Sequence, residues 1–402
     1  MTTPTADQTR WEGRFSQSAR RMTSSIIREI LKMMADPELI SFSGGMPAPE
    51  VFPIAAFREA TQRVLDQDGA RALQYSVTEG YPPLREYLAD KMRREGADVR
   101  AENILIVNGS QQALDFVGRL FIDPGDTVLT GNPTYLGALQ SWSSYGARYA
   151  TVPVDENGMR AEEVDGVLAR RDCKFAYVLP NFHNPAGVTL TEPRRKLLAE
   201  AAARRGVLIV EDDPYGELRF EGEPLKPIIA HDGDSVLYLS TFSKTLSPGI
   251  RLGWIAAPQP VLAKTVQVKQ ASDLHTSILI QMVAYDLVSR GIMGPLIKQI
   301  QNLYRQRRDV MIAAMQEHFP QGVSWTTPQG GLFLWLRLPQ EMDAMELLRK
   351  ALQEKVAFVP GQVFFPNGGG ENTMRLNFSV STPDTIREGI RRLGKVLAEA
   401  LS

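Results

Sequence analysis

From about residue 100 onward the sequence keeps switching between two periodicities, and this alternation limits the possible fold more than any other feature. Short apolar, β-rich runs stand at NILIV (103–107), TVLT (127–130), FAYVLP (175–180), VLIVED (207–212), VLYLS (236–240) and GWIAA (253–257). Between several of them lie stretches with helical spacing. In SQQALDFVGRLF, Ala113, Leu114, Val117, Leu120 and Phe121 form one stripe, and TEPRRKLLAEAAARRG (191–206) closes on Gly206, a helix stop. Strands that are apolar throughout are buried on both faces, and amphipathic helices between them supply the cover. The pattern predicts an α/β fold with a mostly parallel central sheet and helices on both faces.

After residue 290 the pattern changes. A long helix over 294–318 leads to GGLFLWLRLP (330–339), a helix near 342–354, then VAFVPG, TMRLNFS and a terminal helix over 383–401, which together predict a smaller α+β domain. A chain of 402 residues is also too long for one ordinary core. The division expected is residues 1–50 as an N-terminal arm and helix belonging to the small domain, 51–290 as the large domain, and 291–402 as the C-terminal small domain. Within the first part, SSIIREILKMMADP (24–37) sets Ile26, Ile27, Ile30, Leu31 and Met34 on one helical face.

The charge balance narrows the partners. Forty-five basic and 46 acidic side chains leave a net charge of −1, which points away from nucleic acid and anionic membrane. MTTPTADQTRWEGRF holds no apolar signal core, and no apolar run approaches the roughly 20 residues that cross a bilayer. A cytoplasmic protein is expected. The single cysteine, Cys173, excludes an internal disulfide and reads as a packing residue at the start of a strand. His183, His231, His275 and His318 lie far apart without metal-ligand spacing, so no metal site is expected.

Ligands of open α/β sheets bind outside the carboxyl ends of the strands, so chemistry is sought there. After strand 103–107, Gly109 permits a tight turn and the N–H groups of Ser110 and Gln111 open a helix, a ready anion site. Tyr135 follows strand 127–130, and Asn184, in NFHNPAG, follows strand 175–180. Asp212 ends a buried strand and needs a cationic or N–H partner, with Tyr215 three residues on. In STFSKTLSPGIRLG (240–253), Thr241, Ser243 and Arg251 surround Lys244 with anion-binding groups. A lysine desolvated beside another cation loses proton affinity and becomes a nucleophilic amine. Lys264 and Lys269, by contrast, read as solvated on a helix. An amine for an aldehyde, an acid for a pyridinium nitrogen, an aromatic face and a phosphate cup describe one cofactor, pyridoxal 5′-phosphate.

With these motifs assembled, the chain resembles the fold-type I pyridoxal-phosphate aminotransferases of class I/II, nearest to the 2-aminoadipate and kynurenine subgroup. The carriers are SFSGGMPAPEVFP, LQYSVTEGYPPLR, NGSQQALD, NPTYLGA, NFHNPAGVTL, VEDDPYGEL, STFSKTLSPGIRLG and VPGQVFFPNGGGENTMRLNFS. The resemblance implies that Lys244 is the Schiff-base lysine and Asp212 the pyridinium partner. Asn184 and Tyr215 would bind the phenolic oxygen, Tyr135 would stack on the ring, and Ser110, Gln111, Ser243 and Arg251 would hold the phosphate. It further implies that Arg375 clamps the α-carboxylate, that Gly45 lines the substrate side, and that Arg28 reads a side-chain carboxylate. A homodimer with shared sites is implied, Tyr75 being lent to the neighbour's phosphate. Ala186 stands where many relatives have threonine, with Asn184 retained.

The expected reaction is a ping-pong transfer of an amino group from an L-amino acid (2-aminoadipate, glutamate, or an aromatic or aliphatic donor) to a 2-oxo acid such as 2-oxoglutarate. The alternative is a pyridoxal-phosphate lyase or decarboxylase on the same fold. A regulator built on this domain would carry a DNA-binding module ahead of it, and residues 1–20 show no basic helix pair.

Overall fold

The computed structural model describes residues 11–22 and 38–401; Arg28 and the helix expected over 24–37 lie outside them. Its centre is an eight-stranded sheet made of β1 (Ile104–Val107), β2 (Thr127–Asn132), β3 (Arg148–Asp155), β4 (Gly158–Met159), β5 (Cys173–Val178), β6 (Leu208–Asp212), β7 (Val236–Thr241) and β8 (Gly253–Ala256). They stand in the order β1-β8-β7-β6-β5-β2-β3-β4. From β7 across to β3 every pairing is parallel. β8 runs antiparallel between β1 and β7, so that Gly253 pairs with Val107 on one side and Thr241 on the other.

Every residue of β1, β7 and β8 is buried, which requires cover on both faces of the sheet. The helix Ser110–Phe121 packs on β1, β7 and β8 through the predicted stripe, and Glu192–Arg205 packs on β6 and ends at Gly206 with φ +63°. Trp142 locks this layer: its ring meets Phe175 and Tyr177 edge-on at 5.0 and 4.9 Å while Nε1 donates to the Leu114 carbonyl at 2.9 Å. Such aromatic pairs add about 0.5–1.5 kcal/mol each beyond the area they bury. β3 escapes the sequence pattern because it lies near the sheet margin, is only partly buried and contains Pro153.

The remainder builds a second layer system. Met293–His318 lies along Pro383–Leu401, beside a four-stranded antiparallel sheet in the order Ser324–Trp325, Phe333–Arg337, Thr373–Asn377, Val359–Pro360. Ile40–Ser41 returns to this part by pairing parallel with Val356–Ala357. One connected set of buried apolar side chains runs through both layer systems, from Ile104 to Leu397.

Strand order sets where a ligand can go. From β2 the chain steps outward to β3 on one side, then crosses to β5, β6 and β7 on the other. Loops leaving β2 and β5 therefore diverge, and a crevice opens between them at the carboxyl ends.

Candidate active site

Around that crevice a cavity of about 370 Å³ collects Ser110, Gln111, Tyr135, Asn184, Asp212, Tyr215, Thr241, Ser243, Lys244 and Arg251 from the sheet, with Gly45, Phe333 and Arg375 from the smaller part. The sequence places these residues up to hundreds of positions apart; the parallel strands bring them to one rim.

One end is cationic. Ser110 and Gln111 begin a helix, so their main-chain N–H groups have no carbonyl within it. The Gln111 side chain is tied down, donating to Ser141 Oγ at 2.6 Å. Arg251, at φ +50°, folds back so that its guanidinium donates to the carbonyls of Pro248 and Asn108 at 3.2 and 3.3 Å. Gly109, at φ +77°, leaves it that room: a Cβ there would lie 2.6 Å from Arg251 Nη2. Thr241 Oγ1 sits 3.0 Å from the Leu252 carbonyl and 2.9 Å from Ser243 Oγ.

In the middle stands Lys244, which donates to the Gly45 carbonyl at 2.8 Å. Desolvation inside the protein walls, then the charges of Arg375 and Arg251, bring its pKa down to about 8. Lys244 is partly open to the cavity, and the two guanidinium charges act on it in the same direction as its desolvation.

The far wall holds Asp212. Its Oδ2 accepts from Tyr177 Oη at 2.8 Å, while Oδ1 is buried with no hydrogen-bond partner among the described residues. Burial pushes this carboxyl up to about 7, against the opposing pull of the Tyr177 hydrogen bond. Tyr135 is pushed up to about 12 by burial, and Tyr215 is raised for the same reason, so both phenols stay protonated donors. At the mouth, Arg375 donates to Asn184 Oδ1 and to the Ser43 carbonyl, each at 2.7 Å, with its guanidinium 4.2 Å from the Phe333 ring centre. Among the described residues no carboxylate pairs with it, and its Nε has no acceptor. Burial lowers its pKa to about 10.

These residues fit pyridoxal 5′-phosphate. The orphaned Oδ1 of Asp212 needs an N–H donor, which a pyridinium nitrogen supplies. The helix terminus, Ser243 and Arg251 suit a phosphate, and an amine of lowered pKa suits an aldehyde. A neighbouring cavity of about 270 Å³ offers no such chemistry: its Lys91 is taken by Glu95 at 2.6 Å and Glu217 at 3.7 Å.

Residues 39–393 match the family model of aminotransferase class I and II. The chain is a class I/II aminotransferase. It is 44% identical to the aromatic-amino-acid aminotransferase 1 of Thermococcus litoralis, over 99% of this chain and 96% of that one. To the 2-aminoadipate transaminase of Thermus thermophilus it is 44% identical, over 98% of each. The crystal structure of the Thermus thermophilus α-aminoadipate aminotransferase with N-(5′-phosphopyridoxyl)-L-leucine superposes with a TM-score of 0.91 at 42% identity, covering 97% of this chain and 99% of that one. This aminotransferase therefore uses pyridoxal phosphate to move amino groups between amino acids and 2-oxo acids.

Arg28 is outside the described residues, and Tyr75 is 78% exposed, away from the cavity of its own chain. Sequence reasoning passed over Tyr177 and Phe333. A hydroxyl within the apolar run FAYVLP was the available signal for the first, since a buried phenol needs a partner. One reading is overturned: Lys264 is exposed as expected, but Lys269 is fully buried, because it faces inward from Gln259–Ser272 onto Asp273.

Proposed function

We propose that this aminotransferase takes several L-amino acids as donors and 2-oxoglutarate as acceptor, working as a cytoplasmic homodimer. The observation that carries the reading is Arg375, a buried guanidinium with no anionic partner among the described residues, facing the same cavity as the Lys244 amine. A donor's α-carboxylate is the anion that satisfies it. Support for a broad donor range comes from relatives at equal identity that are named for aromatic amino acids and for 2-aminoadipate.

Bound pyridoxal phosphate supplies an electron sink for the charge that develops at the donor's α-carbon. Asp212 Oδ1 holds the proton on the ring nitrogen, and Asn184 with Tyr215 holds the phenolic oxygen. Ser110, Gln111, Thr241, Ser243 and Arg251 grip the phosphate, and Tyr135 covers the ring face. Arg375 fixes the donor so that its Cα–H bond points at Lys244, whose Nζ takes that proton. Gly45 leaves space beside the donor, a Cβ there coming within 3.2 Å of Phe333. Arg28 is assigned to acidic side chains. In this reading the cofactor rests on a large domain, 51–290, and the donor is clamped by a small one, 1–50 with 291–402. Tyr75 reaches the phosphate of a second subunit. The cytoplasmic placement is supported by a lone, free Cys173.

A panel of amino donors with 2-oxoglutarate, run on the native protein, Arg28→Ala and Lys244→Ala, tests this. Lys244→Ala is expected to lose turnover with every donor and Arg28→Ala to lose acidic donors alone. Ammonia or carbon dioxide released without an oxo acid would assign a lyase or decarboxylase instead.

A further inference from the structure

Behind the phosphate end lies a buried cation that the reaction does not use. Lys269 is 0% exposed, and its ammonium donates to Gln112 Oε1 at 3.1 Å, Asp273 Oδ1 at 3.0 Å and Thr276 Oγ1 at 3.1 Å. Three protons meet acceptors on three residues, Asp273 offering its second oxygen as well at 3.2 Å, which is the condition for keeping such a charge out of water.

From this pair hydrogen bonds run in two directions. Toward the cavity, Asp273 Oδ2 accepts from Asn108 Nδ2 at 2.5 Å and from Gln112 Nε2 at 2.7 Å. Gln112 Oε1 in turn accepts the Asn108 main-chain N–H at 2.9 Å, and the Asn108 carbonyl receives Arg251. Asn108 is thereby held at its amide, its main-chain N–H and its carbonyl, immediately before Gly109, Ser110 and Gln111. Toward the surface, His275 Nδ1 lies 2.9 Å from the Thr276 carbonyl, which leaves Nε2 to accept the Ser76 N–H at 3.3 Å. The Tyr75 ring stands edge-on to His275 at 5.9 Å. Between them Leu274 is held at φ +64° with its apolar side chain 52% exposed. A leucine in the left-handed region persists only where its surroundings over-determine it, and the main-chain N–H groups of both Asp273 and Leu274 are anchored on the Lys269 carbonyl.

We propose that the Lys269–Asp273 pair is a positioning device that sets two surfaces from one buried anchor: the phosphate-binding turn Asn108–Gln111, and the exposed face carrying Tyr75 and Leu274. Cofactor retention and subunit pairing then depend on the same hydrogen bonds. The proposal rests on the reading above that the turn holds phosphate and that Tyr75 crosses to a second subunit.

The test is Lys269→Met in the full-length apoprotein. Affinity for pyridoxal 5′-phosphate is expected to fall about tenfold while affinity for pyridoxal, which has no phosphate, stays unchanged. The dimer–monomer midpoint in sedimentation is expected to move to about tenfold higher concentration. A merely structural lysine would lower the melting temperature and leave the affinity ratio and the midpoint where they were, which overturns the proposal. So does a shift in only one of the two readouts, or an equal loss for both vitamers. If Lys269→Met does not fold, the neutral pair Lys269→Met/Asp273→Asn takes its place with the same expectations. Native protein that does not prefer the phosphorylated vitamer, or that is monomeric throughout, defeats the underlying reading and this proposal with it, an outcome told apart from the others because it appears before any substitution.

Discussion

Lys244 and Asp212 are each held in the less charged form by the same cause, removal from water, and the two effects act in opposite directions on pH behaviour. Because Lys244 is brought down to about 8, uptake of pyridoxal phosphate by the apoprotein should rise about tenfold per pH unit and level off near that pH. Stopped-flow absorbance checks this, and a rise continuing toward the ordinary lysine range would contradict it. Arg375→Gln removes the larger of the two neighbouring charges and should move the plateau upward. Asp212 holds its proton to about 7 when folded, whereas an unfolded aspartate releases it near 3.9. Between those values the folded chain binds more protons, so this group makes the apoprotein less stable as pH rises, by on the order of 4 kcal/mol. Asp212→Asn apoprotein should accordingly exceed the native apoprotein in denaturant stability at pH 8, match it near pH 4, and bind the cofactor more weakly.

The helix Ser110–Phe121 illustrates what could be read in advance. Its apolar stripe and the glycine before it were visible in sequence, and so was the anion site they make. Lys244 and Asp212 were legible for a related reason, each being a charge set against a run that must be buried, whereas Arg375 was reached only through the family resemblance. Tyr177 and Lys269 were harder to see: FAYVLP shows that a buried phenol needs a partner but not which one, and Asp273 four residues after Lys269 does not by itself reveal that the pair is buried. Tyr177 lies one strand over from Asp212, and Lys269 looks like any polar residue on a helix until the helix is packed. β3 was missed because it lies near the sheet margin, is only partly buried and so carries no continuous apolar run. Gly109 carries a prediction of its own. Gly109→Ala would force φ +77° on a residue with a Cβ and push Arg251 aside. The cost should be about 1–3 kcal/mol, seen as weaker cofactor binding more than as lost turnover at saturation.

Leu73, Tyr75, Val77 and Leu274 are among the large apolar side chains left exposed, and Tyr75 packs edge-on against His275 beside Leu274. Leu73→Asp should shift the protein toward monomer in sedimentation and lower its activity at dilution, and Tyr75→Ala should both weaken pairing and loosen the cofactor. The sheet does something else for the site. Val107, Gly253 and Thr241 form one row across β1, β8 and β7, so the turn after β1 and the segment after β7 stand two strand intervals apart, roughly 9–10 Å. Had β8 not run backward between them, they would be neighbours at half that distance. The opening between these two segments, proposed above to grip the phosphate, is thus gauged by the pitch of a hydrogen-bonded ladder, a dimension that no side-chain substitution can lengthen. Selection can retune the donors around the anion, but the aperture itself is dictated by the strand count.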